Sequence, residues 1–143
     1  MDVAIRRIRD SVEIPRYATE GSVAFDLCTA EPVEILPGRI GRVGTGLVVA
    51  TPPGWALLVC LRSSTPQRFG VIQPHAIGII DQDYRGAADE MQLQLLNYTT
   101  APANIPAGAR IAQGLFVPTE RAHWTPLDVE PASRGGFGST DAD

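Results

Sequence analysis

Lysine is absent from this chain of 143 residues, and its 12 cationic side chains are all arginine. Any anion site must therefore use the planar guanidinium fork, whose geometry matches phosphate oxygens. Positive charge is also in deficit, at −4 net, which excludes the broad basic footprint of a DNA- or RNA-binding protein. Only two cysteines occur, Cys28 and Cys60, each among small or apolar neighbours and without metal-ligand spacing. Free buried thiols are expected, rather than a disulfide or a zinc site. No apolar run approaches the roughly 20 residues needed to span a bilayer, so no membrane association is expected. No charged-then-apolar leader opens the sequence, which makes the cytoplasm the expected compartment.

What the chain has in quantity is punctuation: 14 Gly and 12 Pro break it into short apolar blocks. The blocks are Val3–Ile8, Val23–Thr29, Val33–Ile35, Ile40–Val49, Trp55–Leu61, Gly70–Ile72, Ile77–Ile80, Met91–Leu96 and Ile111–Val117. Met91-Gln92-Leu93-Gln94-Leu95 alternates with a period of two, the mark of a half-buried strand. No window of a dozen residues carries a helical period free of Gly or Pro. The expectation is an all-β sandwich, jelly roll or barrel. Residues 1–127 read as its core. From 128 to 143 the composition turns to Gly, Ser and acids, the signature of a flexible arm. Phe137, set between glycines, suits an aromatic that docks elsewhere once that arm orders.

Four clusters concentrate polar groups at strand ends. Arg62-Ser63-Ser64-Thr65 follows Trp55–Leu61 and offers a cation and three hydroxyls to one anion. The same letters also suit a polar turn or a capped helix start. Ile80 delivers Asp81 at the end of an apolar strand, followed by Tyr84 and an Arg-Gly turn. A carboxylate so placed can deprotonate a water as general base, although Asp-x-Asp is also ordinary turn chemistry. Tyr84 suits either the core or a flat face for a ring. Arg110 and Gln113 bracket a strand start, as a surface pair would. The run Arg134-Gly135-Gly136-Phe137-Gly138-Ser139-Thr140 exposes backbone N–H groups and hydroxyls that can wrap phosphate. Phe137 there could stack on a nucleobase, worth about 1–3 kcal/mol.

In this order the clusters resemble the motifs of the trimeric deoxyuridine triphosphatase (dUTPase) family, from about Gly21 onward. Ala24-Phe25-Asp26-Leu27 is similar to the first motif and Arg62-Ser63-Ser64 to the second. Gly78 to Gly86 resembles the third, Gly108 to Gln113 with Phe116-Val117-Pro118 the fourth, and Arg134 to Thr140 the fifth. The resemblance implies a distorted jelly roll of the β-clip type, assembled as a homotrimer, that hydrolyses dUTP to dUMP and pyrophosphate with Mg²⁺ chelated by the triphosphate. It implies that Asp81 activates the water attacking the α-phosphorus and that Tyr84 packs under the deoxyribose, excluding a 2′-hydroxyl. By the same likeness Arg62, Ser63, Ser64 and Gln113 hold phosphate, and Ile80 lies against the substrate. Asp26 would stand near the metal-water network without ligating the metal directly. Arg134, Phe137, Gly138, Ser139 and Thr140 would close over a neighbour's nucleotide, Phe137 over the uracil.

Three departures accompany the likeness. His75 stands six residues before Asp81, where the family commonly has an asparagine near the uracil. Ala87-Ala88-Asp89-Glu90 lengthens the link to the next strand, either as a longer hairpin or to reach a trimer axis or a metal. Asp141 follows Thr140, where a glycine is common. A dCTP deaminase would share the fold and the Arg-Ser-Ser segment, but would need a glutamate three residues before Asn97. That position is Gln94, and an amide cannot shuttle the proton. A catalytically silent nucleotide-binding trimer is the other alternative.

Overall fold

The computed structural model describes residues 1–128 and 132–133. In chain order its elements are β1 (Ile5–Arg7), β2 (Phe25–Cys28), β3 (Val33–Ile35), β4 (Ile40–Gly44), β5 (Leu47–Val49), β6 (Trp55–Leu61), α1 (Thr65–Phe69), β7 (Val71–Ile72), β8 (Gly78–Ile80), β9 (Gln92–Asn97), β10 (Ala103–Ile105) and β11 (Arg110–Pro118). Every strand pair is antiparallel. A four-stranded sheet runs β2-β11-β6-β8 and a three-stranded sheet runs β4-β9-β7, with the pairs β1-β5 and β10-β3 beside them. Among the described residues no helix is long and apolar enough to cross a membrane.

The alternation of each strand decides what lies between the sheets. Leu27, Leu57, Val59 and Ile111 from the larger sheet join Val43, Val71, Leu93 and Leu95 from the smaller in one buried cluster. Fully burying side chains of this kind stabilises by about 1.5–3 kcal/mol each. Strand β9 shows the rule plainly: Leu93, Leu95 and Asn97 are buried, while Gln92 and Gln94 are exposed. The all-β jelly-roll expectation holds.

Several boundaries differ from those read in the sequence. The block Ile40–Val49 is two strands, because Gly46 turns the chain with φ +69°. Strand β10 was not foreseen, whereas the helix start that Arg62-Ser63-Ser64-Thr65 also suits is present as the five-residue α1. In α1, Ser64 stands at the N-cap without a side-chain cap bond, Pro66 occupies the first turn, and Gly70 ends the helix at φ +66°. Thr65 anchors this turn by donating its hydroxyl to Ile111 O at 2.6 Å. Both cysteines are free, but half-buried rather than buried.

Candidate active site

The candidate phosphate-binding groups gather on the outer face of the larger sheet, and a bulge places Gln113 there. Between Arg110 and Ala112 the register against β2 slips, so consecutive Ile111 and Ala112 both point inward. Regular alternation would have turned Gln113 into the core; the extra residue returns it to the face that carries Arg110. Gln113 then lies opposite Asp26 on one side and Cys60 on the other. Its amide donates to Leu61 O at 3.4 Å.

Arg62 leaves the end of β6 with its backbone N–H bonded to Ile111 O at 3.1 Å. Its Nε meets Asp26 Oδ1 at 3.0 Å, and Arg110 Nη1 meets Asp26 Oδ2 at 3.4 Å. Such part-exposed pairs contribute about 0–1 kcal/mol to stability, so their importance is orientation. Asp26 holds Arg62 by its inner nitrogen and leaves both terminal nitrogens without a protein partner among the described residues. Ser63 and Ser64 follow, both exposed, their hydroxyls unengaged among the described residues. The result is a row of outward donors fixed by one carboxylate. Beside it a cleft of about 600 Å³ runs under residues 11–18 and shares Asp26, Cys28 and Arg110 as wall. Burial and the Asp26 charge push the Cys28 thiol above its ordinary range.

A second group of candidates lies at the other end of β6. Ile80 pairs with Leu57, is half-buried against the core, and carries Asp81 out of β8 into solvent. Tyr84 is not in the core: it is 41% exposed, and its hydroxyl donates to Glu90 O at 3.0 Å. His75 is exposed in the turn before β8, with Nδ1 3.1 Å from Ile77 O. The loop after Tyr84 is tied to its own chain. Gly86 N–H donates to Asp89 Oδ2 at 2.5 Å, Gly46 N–H donates to Glu90 Oε1 at 2.7 Å, and Arg6 Nη2 donates to Gly86 O at 2.8 Å. Ala87–Glu90 is thus a self-capped extension of the hairpin, and Asp89 and Glu90 are spent on backbone N–H groups. Arg6 bore no signal in sequence, since β1 and the extension meet only in the fold; Glu90 was marked only as part of the lengthened link, and its carboxylate turns inward to the Gly46 N–H.

The two groups do not meet within one chain. Gln113 is opposite Cys60, whereas Asp81 follows the residue opposite Leu57. Strand spacings then put their Cα atoms roughly 16 Å apart. Arg134, Phe137, Gly138, Ser139 and Thr140 lie outside the described residues. Gln94 faces outward opposite Arg42, on the other sheet from Gln113. Among the described residues no three His, Cys, Asp or Glu side chains converge to hold a metal ion.

Comparison with known proteins identifies the family. A family model described as dUTPase covers residues 10–141. A deoxyuridine 5′-triphosphate nucleotidohydrolase of Anaeromyxobacter sp. (strain Fw109-5) is 40% identical over 144 residues, covering 96% of this chain and 96% of that one. The crystal structure of a dUTPase from Streptococcus mutans superposes with a TM-score of 0.78 at 29% identity, over 84% of this chain and 98% of that one. A mutant dUTPase from phage phi11 of S. aureus, described as coordinating a structural Mg(II) ion, shares the fold with a TM-score of 0.79 at 17% identity, over 90% of this chain and 98% of that one. The chain belongs to the dUTPase family.

Proposed function

We propose that the protein is a dUTP diphosphatase that converts dUTP to dUMP and pyrophosphate by attack of water on the α-phosphorus. The observation that carries this reading is the strand-end carboxylate Asp81, delivered into solvent by a core-anchored β8 and followed by Tyr84. On the same sheet stands a separate row of Arg62, Ser63, Ser64 and Gln113.

Asp81 accepts the proton of the attacking water and holds it in line, and Tyr84 and Ile80 flank the sugar. His75, exposed in the turn before β8, meets the edge of the uracil in this reading. Arg62, Gln113 and the Ser63 and Ser64 hydroxyls neutralise and orient the phosphates, with Asp26 fixing the guanidinium. Mg²⁺, when bound with the triphosphate, withdraws charge from the phosphate oxygens. The donor set fits a metal carried by the nucleotide. Both Asp26 oxygens face arginines, so Asp26 would act on the metal through water alone.

Asp81 and Gln113 stand roughly 16 Å apart along one chain, and we read them as serving sites that other copies of the chain complete. The reading is a homotrimer with shared sites, residues 1–127 forming the core and 128–143 an arm that closes over a neighbour's nucleotide. In that arm Arg134, Gly138, Ser139 and Thr140 meet phosphate and Phe137 covers the base. Two free thiols suit the cytoplasm.

Running the reaction in ¹⁸O-labelled water tests the chemistry. Label is expected in dUMP; label in pyrophosphate would overturn attack at the α-phosphorus.

A further inference from the structure

We infer that Glu90 is a positioning residue for selectivity at the sugar, acting by latching Tyr84 against the core. The inference rests on the reading of Tyr84 as the residue that faces the deoxyribose.

Tyr84 sits in a loop whose side chains are exposed from Asp81 to Ala88. Its ring is only partly covered, at 41% exposure, and one hydrogen bond fixes its outer end. The Tyr84 hydroxyl donates to the main-chain oxygen of Glu90 at 3.0 Å. The Glu90 carboxylate takes the Gly46 N–H at 2.7 Å, and the Gln92 amide approaches its other oxygen at 3.4 Å. Gly46 belongs to the turn between β4 and β5, which is fastened to the core where Thr45 N–H meets Met91 O at 3.1 Å and Met91 N–H meets Leu47 O at 2.8 Å. A bond from a backbone N–H to an ionised carboxylate is among the stronger kinds. Glu90 therefore converts a surface loop into a strut that runs from the sugar-facing ring to the core.

The surroundings are cut to fit that carboxylate. A Cβ at Gly44 would fall on the Glu90 carboxylate, so the glycine leaves the space the latch occupies. On the far side of the loop, Asp89 accepts from Gly86 N–H and Arg6 donates to Gly86 O. The loop is thus pinned at both ends of the extension. Rejecting a ribonucleotide requires excluding one hydroxyl, and a ring free to shift by an ångström excludes nothing. The ligand class at stake is the nucleoside triphosphate bearing a 2′-hydroxyl.

The test compares kcat/KM for dUTP with that for UTP in wild type, Glu90→Ala, Glu90→Gln, Tyr84→Phe and Tyr84→Ala. Glu90→Ala is expected to lower the dUTP:UTP ratio about tenfold, mainly through KM. Glu90→Gln, which keeps an oxygen acceptor for Gly46 N–H, should recover most of it. Tyr84→Phe removes the hydroxyl and should lower the ratio similarly, without adding to Glu90→Ala in the double variant. A merely structural Glu90 would depress both substrates in proportion and leave the ratio unchanged, which overturns the latch. Should Glu90→Ala fail to fold, Tyr84→Phe decides alone: an unchanged ratio overturns the inference. Tyr84→Ala separates the two levels. If it collapses the ratio while Glu90→Ala does not, the latch fails and the sugar-facing reading stands; if it leaves the ratio intact, both fail.

Discussion

Ala76 carries φ +64°, the one non-glycine residue among those described with a left-handed backbone. Around it Ile77 N–H bonds His75 O at 2.7 Å, a three-residue turn that an L side chain strains. Ala76→Gly should therefore raise stability by about 0.5–1 kcal/mol despite the greater freedom of unfolded glycine, read as a higher urea midpoint at constant m-value. The strain lies beside His75, where a nucleotide-facing turn is proposed, as strained backbone often does. Cys28 makes a second residue-scale prediction. Burial first, then the Asp26 charge, hold its thiol protonated beyond the ordinary range, against the opposing pull of Arg110 and Arg62. A raised value in the folded state contributes stability that is complete below the unfolded thiol's range and is lost as pH rises through the folded one. Alkylation of Cys28 by iodoacetamide should follow a pH profile displaced to the alkaline side of that for the denatured chain.

Asn97 governs the behaviour of an element. It ends β9 fully buried, and its amide donates to Ile35 O and Ala101 O at 2.8 Å each. Its oxygen accepts from Thr99 N–H at 2.9 Å and Thr99 Oγ1 at 2.8 Å. One side chain thereby ties β9 to β3 and closes the turn that follows. Asn97→Ala strands the buried Ile35 O and releases Thr99 and Ala101, and should cost about 2–4 kcal/mol, measured by chemical denaturation. Sequence periodicity identified most strands because their apolar alternation is local: Val33–Ile35 and Trp55–Leu61 match to the residue. It joined β4 to β5 because Gly46 reads the same whether or not it turns. Strand β10 escaped because three residues between Pro102 and Pro106 carry no period; α1 was legible only as a helix start, because five residues make barely more than one turn. The bulge at Ile111 was illegible for a different reason. Nothing in Arg110-Ile111-Ala112-Gln113 says that two neighbours will share a face; that is settled by what β2 and β6 offer opposite. The candidate residues could be named from their order in the chain, but the Asp26 pairing with Arg62 and the Glu90 latch arise only when distant strands meet.

At the scale of the whole molecule, Asp81 and the row of Arg62, Ser63, Ser64 and Gln113 stand apart in one chain, and the proposed trimer would complete each site from several copies. Beyond β11 the chain presents Trp124 at 92% and Leu127 at 82% exposure, apolar surface that a neighbouring copy can cover. Light scattering at micromolar concentration should report a trimer. Deleting residues 134–143 should depress turnover by at least tenfold while leaving that trimer assembled. The central claim, that the Asp81 carboxylate activates the attacking water, is tested most directly by Asp81→Asn, assayed for dUTP binding and pyrophosphate release with Mg²⁺ present. The variant is isosteric, so affinity should stay within a few-fold of wild type while turnover falls by about 10²–10⁴ or more. Equal hydrolysis by variant and wild type would contradict the account.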